Sequence, residues 1–119
     1  MSAANPIAVP SCLYEAAYVT NADATIYTAP ANTTVIIDKF TATNNDSSTH
    51  TLNVNIIPSG GSVGATNLEV SGMTIQVAAT GPVDLTLLQN QILLTGDAIS
   101  VKADAGSKIV VRISGRLCS

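Results

Sequence analysis

The one stretch spaced like a catalytic nucleophile is Gly60-Gly61-Ser62-Val63-Gly64, a match to the G-x-S-x-G elbow. That elbow works where a strand turns sharply into a helix in an α/β sheet, with a base placed to take the serine proton. Here glycines surround the serine, no helical period follows, and the sole histidine, His50, lies upstream. The match therefore predicts a loop rather than an acyl-transfer site. His50 stands at the start of a strand candidate, in Ser48-Thr49-His50-Thr51, with no second histidine and no nearby cysteine to complete a nitrogen–sulfur metal site. A solvated or hydrogen-bonded histidine at a strand end is the expectation.

The acidic residues Glu15, Asp23, Asp38, Asp46, Glu69, Asp84, Asp97 and Asp104 stand singly, and none falls in the spaced pattern of a calcium loop. Two carboxylates joined only by folding would suffice for a glycosidase. Against that stands an aromatic content of 3%, since sugar sites commonly offer ring platforms; Tyr14, Tyr18 and Tyr27 read more simply as core or interface packing. Asn32-Thr33-Thr34 and Asn45-Asp46-Ser47 fit the glycosylation sequon, as chance allows in a chain rich in Asn, Thr and Ser. The expectation is a non-enzymatic chain with no catalytic residue, no cofactor and no metal.

Chemistry of another kind gathers near the C-terminus. Lys102, Lys108, Arg112 and Arg116 are four of the five basic residues in a chain of net charge −3. Ile109, Val111 and Ile113 share one strand parity, and Lys108, Val110, Arg112 and Arg116 share the other if the strand stays regular past Gly115. This predicts an apolar row inside and a cationic strip outside. Arginine offers forked hydrogen bonds to carboxylates, so the strip, with Lys102, is the candidate interface for acidic groups on a protein partner. The plain alternative is a solvated strand face. The acidic balance and the lack of interleaved aromatics argue against nucleic acid. No apolar run approaches the ~18 residues of a membrane span.

Charged residues make up 11% of the chain, against about 25% in ordinary soluble domains. Thr, Ser and Asn take their place. Neutral hydroxyls and amides cost less to dehydrate than ions, which suits broad protein contact, although Thr also simply fits strands. The 119 residues are one domain's worth, enough for a core without metal or a disulfide frame. The N-terminus lacks the basic and apolar regions of a signal peptide. Cys12 and Cys118 lie near opposite ends of the chain; a staple between them and a pair of reduced thiols are both open.

These side chains must be positioned by strands. Residues 1–12, with Pro6 and Pro10 among small residues, read as an extended arm, and 13–119 as one domain. Beyond the arm, short β-type runs alternate with turn clusters. Thr33–Thr43 is the first long strand, with Ile36, Phe40 and Ala42 on one face and Asp38 a blemish on it. Leu52, Val54 and Ile56 alternate cleanly with Thr51, Asn53 and Asn55. Residues 66–78 follow, with Gly72 as a turn or bulge, and Val83–Leu87 alternates again. Leu85–Leu94 is the one place where a helical turn competes. Ile99–Ala103 and Ile109–Ile113 read as a hairpin across Asp104–Ser107. Some eight strands in one domain predict an all-β fold, an antiparallel β-sandwich with the jelly roll among its options. With few charges to guard sheet edges, the chain is expected to cover them in a homo-oligomer or an assembly.

Tyr18-Val19-Thr20-Asn21, Thr25-Ile26-Tyr27-Thr28-Ala29-Pro30-Ala31-Asn32-Thr33-Thr34 and Ile36-Ile37-Asp38-Lys39 resemble small virion proteins of tailed bacteriophages. Val54-Asn55-Ile56-Ile57-Pro58-Ser59-Gly60-Gly61 and Val111-Arg112-Ile113-Ser114-Gly115-Arg116 extend the likeness across most of the chain. The resemblance implies a β-rich virion component made in the bacterial cytoplasm. Its foremost implication is a capsid decoration or cement protein that binds the major capsid protein, or another virion protein, outside the head. A tail or fibre module that binds a receptor or glycan is the alternative. It implies no catalytic residues.

Overall fold

The computed structural model describes residues 8–77 and 83–118. Among the described residues there are nine strands: β1 (Ala8–Tyr18), β2 (Ala24–Thr28), β3 (Thr34–Asn44), β4 (His50–Ile57), β5 (Leu68–Ile75), β6 (Val83–Asp84), β7 (Ile92–Leu93), β8 (Ala98–Ala103) and β9 (Ile109–Cys118). They form two antiparallel sheets packed as a β-sandwich. The front sheet runs β1-β9-β3-β6, with β7 also on β3, and the back sheet runs β2-β8-β4-β5. The pairs are nested: β1 with β9, β2 with β8, β3 with β6 and β7, β4 with β5. The chain is thus a long ribbon of paired strands, folded so that β3 meets β9 and β4 meets β8.

Period-two alternation explains the core. Val35, Ile37, Phe40 and Ala42 of β3, Ile109, Val111 and Ile113 of β9, Leu52 and Val54 of β4, and Ile99, Val101 and Ala103 of β8 are all buried. Each large aliphatic among them contributes about 1.5–3 kcal/mol by leaving water. Leu85, Leu88 and Leu93 close one side from the segment around a 3₁₀ turn at Thr86–Leu88. The strand expected over Val83–Leu87 is therefore two residues long and gives way to that turn.

Three expectations need correction. Ile36 does not share a face with Phe40 and Ala42. Register against β9 jumps between Ile37 and Lys39, so Asp38 is the extra residue of a bulge and parity flips there. Ile37 turns inward, while Ile36 and Asp38 are only half-buried. Asp38 is thus no blemish on the core face. Second, β8 and β9 are not a hairpin: β8 pairs with β2 and β4, and β9 with β1 and β3. Their connection crosses between sheets, which lets both apolar rows face one core. Third, of the expected arm, residues 1–7 lie outside the described residues, while Ala8–Cys12 are extended but already paired with β9.

Gly72 does mark a bulge. It has φ +58°, Ser71 and Gly72 together oppose Asn53, and the Gly72 N–H donates to Asn53 Oδ1 at 2.6 Å. Cys12 pairs in register with Ser114, and Cys118 with Ala8. Four register steps along a strand are about 13 Å, beyond the reach of an intrachain disulfide. Both thiols are free.

Candidate functional site

β9 stays regular through Gly115, so Val110, Arg112, Ser114 and Arg116 all point outward from the front sheet, with Lys108 just ahead of the strand. Gly115 fits its inward position because it has no side chain. A Cβ there would run into the Ile36 carbonyl and the Leu13 side chain.

Folding then separates the four predicted cations. Lys102 lies on β8 and is exposed on the back sheet, away from the other three. Arg116 is already engaged: its Nε lies 3.0 and 3.1 Å from the two Asp38 carboxylate oxygens, and a terminal nitrogen lies 2.8 Å from one of them. The hydrogen bonds to Asp38, then its charge, raise the Arg116 pKa. Lys108 faces Asp46 at 4.0 Å. Lys39, across the same face, reaches Asp84 at 3.9 Å. Among the described residues Arg112 has no ion-pair partner, and it borders a shallow depression lined by Pro10, Ser11, Cys12, Asp38, Ser114 and Gly115. The strip expected from sequence therefore holds one arginine without an ion pair among the described residues, with Lys108, Arg116 and Lys39 paired and Glu15 of β1 exposed.

Sequence reasoning missed the apolar rim of that face. Leu87, Ile92 and Leu94 are 51%, 56% and 61% exposed. Ile92 is the register partner of Ile36, which pairs on its other side with Arg116, itself opposite Pro10. An apolar row thus continues from β7 across β3. The signal was present in Ile92-Leu93-Leu94, where alternation around a single inward Leu93 leaves two large neighbours outside.

The back sheet is different. Asn55 is outward by parity yet only 3% exposed, because the 58–67 loop folds over it. Its Nδ2 donates to Gly64 O at 3.1 Å and to Asn67 Oδ1 at 2.7 Å, and Asn67 Nδ2 donates to Ser62 O at 2.8 Å. Ser62 sits in this loop and His50 at the far end of β4, so the two do not form a nucleophile–base pair. Beyond the loop lies a hollow of about 260 Å³ lined by Thr51, Asn53, Lys102, Ala103 and Asp104.

His50 is hydrogen-bonded at its strand end, to Asp46 and Asp104 at 2.7 and 3.0 Å. Its two ring nitrogens face different carboxylates, so this trio does not converge on one ion. Among the described residues, no helix is long and apolar enough to cross a membrane.

No protein-family model matches this chain, and no curated protein matches it. Among solved structures it is similar to one titled "Structure of infectious bursal disease virus Gx strain", at 16% identity and a TM-score of 0.31, covering 97% of this chain and 32% of that one. A TM-score of that size is too low to support any inference about function.

Proposed function

We propose that the chain is a virion structural protein without catalytic activity, a capsid decoration or cement protein that docks on the outside of a phage head and bridges capsomers. The observation that carries this reading is the outer face of the front sheet. On that face Arg112 is exposed, Lys39, Lys108 and Arg116 are paired with carboxylates, and Leu87, Ile92 and Leu94 rim it. Such a face loses little on dehydration and gains from apolar contact. Arg112 would supply one forked bond to a carboxylate of the major capsid protein.

Two further observations support the reading. The nested strand pairing supports a jelly-roll reading, an architecture that recurs in viral capsid domains. The phage-like segments fall on the end of β1 with its following turn, on β2 with its following turn, on β3, on β4 with its following turn, and on β9, strands that belong to both sheets. The edge argument for a homo-oligomer weakens, however. β1 carries Pro10 and two register shifts, and β5 carries the Gly72 bulge, so these edges are blunted without charge. The homo-oligomer remains part of the proposal on the strength of the resemblance.

The test is a shell purified without this protein. Adding the protein should raise the shell's melting temperature, because a ligand that binds only the assembled state stabilises it. Arg112→Glu should lower occupancy without unfolding the domain. No thermal shift at saturation would count against the cement role, and unchanged occupancy of the variant would remove Arg112 from the contact. The hollow on the back sheet favours a second reading, a tail or fibre module that hydrogen-bonds a glycan through Asn53, Lys102 and Asp104. A glycan array separates the two.

A further inference from the structure

His50 begins β4 and its side chain is only 12% exposed. Its Nε2 lies 2.7 Å from Asp46 Oδ2, on the β3–β4 turn, and its Nδ1 lies 3.0 Å from Asp104 Oδ1, on the β8–β9 connection. Ionised carboxylates only accept hydrogen bonds, and a neutral imidazole has one N–H. A neutral ring would therefore set a lone pair against one of the two carboxylates. The doubly protonated ring donates to both.

The same two connections meet through the backbone, where Asn45 N–H donates to Lys108 O at 2.8 Å, and the β8–β9 connection also meets β4, where Asp104 N–H donates to Thr51 O at 3.2 Å. Asn44, fully buried at the end of β3, shapes the turn: its Nδ2 donates to Ser48 O and Ile75 O, and its Oδ1 accepts from Asp46 N–H. The ionisable groups around the ring are few. The β3–β4 turn offers Asp46, the β8–β9 connection offers Asp104 and Lys108, with Lys108 4.0 Å from Asp46, and β8 offers Lys102 beside Asp104. On β5 the register partner of His50 is the uncharged Ile75.

We propose that His50 is a protonation-operated clamp, which as imidazolium fastens the β3–β4 turn to the β8–β9 connection and as neutral imidazole releases one of them. The electrostatics agree in sign. The hydrogen bond to Asp46, followed by that to Asp104, raises the His50 pKa against an opposing desolvation. The hydrogen bond from His50 is the largest cause lowering that of Asp46. A raised histidine contributes stability that is complete below its unfolded value of 6.5 and is lost as pH rises through the higher folded one. A lowered aspartate contributes stability that is complete above 3.8 and is lost as pH falls through the lower folded value. The clamp is whole between those two values.

The test is NMR on uniformly ¹⁵N-labelled protein. At pH 6 both ring nitrogens of His50 should carry protons, and the ring should titrate with a midpoint above 6.5. Asp104→Asn should lower that midpoint while keeping the fold. Amide exchange at Asn45 and Asp104, corrected for intrinsic rates, should lose roughly three- to tenfold protection as His50 deprotonates, the cost of losing a charge-assisted bond. In His50→Gln that pH dependence should vanish. A single neutral tautomer at pH 6, a midpoint unmoved by Asp104→Asn, or wild-type protection indifferent to the titration would each overturn the clamp. Should His50→Gln fail to fold, Asp104→Asn and the wild-type exchange decide alone.

Discussion

The two sheets of the sandwich obey one alternation rule and treat their outward residues differently. On the front sheet Arg112 is exposed and Val110, Ser114 and Arg116 are half-buried, with no segment of the described residues laid over them. On the back sheet Asn55 and its register neighbour Ser100 are buried despite their outward parity, and the 58–67 loop bonds directly to Asn55. An outward amide can be buried only where something satisfies it, and here the chain supplies that cover itself. The back sheet is closed partly by its own loop, while the front sheet keeps Arg112 exposed. Under the proposed function, the partner would dock on that exposed face.

That contrast makes graded demands on substitutions. The largest effect is expected inside the front sheet. Gly115→Ala would push a methyl against the Ile36 carbonyl, a backbone atom fixed by the Asp38 bulge, and against Leu13. Overpacking of this kind should cost about 3 kcal/mol, read as a lowered urea midpoint with unchanged slope. A loss under ~1 kcal/mol would mean the β3–β9 seam yields easily and the bare face is softer than it looks. A smaller loss is expected from the back-sheet cover. Asn55→Ala removes both donor contacts to the 58–67 loop and should cost about 1–2 kcal/mol. It should also raise amide exchange at Gly64 and Asn67 without altering the front sheet. Equal exchange changes on both sheets would erase the distinction between them.

How much of this could be read from residue types has a physical limit. Alternation makes β3, β4, β8 and β9 legible because one face must be apolar, and the turn clusters mark their ends. It does not say which sheet a strand joins. The rows Ile99–Ala103 and Ile109–Ile113 satisfy a hairpin and a crossover equally, and only the need to face each other across a core decides. Asp38 was visible as an anomaly, but its cause, a bulge, depends on the opposing strand. The cationic strip was legible only in part: parity put Lys108, Arg112 and Arg116 on one outward face, but not their partners. Nearness in sequence placed Lys102 with Lys108, Arg112 and Arg116, whereas pairing is settled in space, where Asp38 reaches Arg116 from 78 positions away. His50 was expected to be hydrogen-bonded or solvated, and its two carboxylates come from connections that only the folded ribbon brings together.

The smallest expected effect on stability is also the sharpest test of the bare face. Ile92 and Leu94 flank the buried Leu93 and stand more than half exposed, so their side chains bury little on folding of the single chain. Threonine keeps the β-branched fit of Ile92 to its strand and removes most of the apolar surface at both positions. Ile92→Thr with Leu94→Thr should therefore change folding free energy by no more than about 0.5 kcal/mol. If the rim is a contact, the same double substitution should weaken shell binding at least several-fold, because it removes the apolar area a partner would cover. A substitution nearly silent in the free chain and costly in the complex has one physical explanation: those side chains lose water only on binding. Loss of fold stability alongside binding would place them in the core's service, and unchanged binding would leave the rim without a partner.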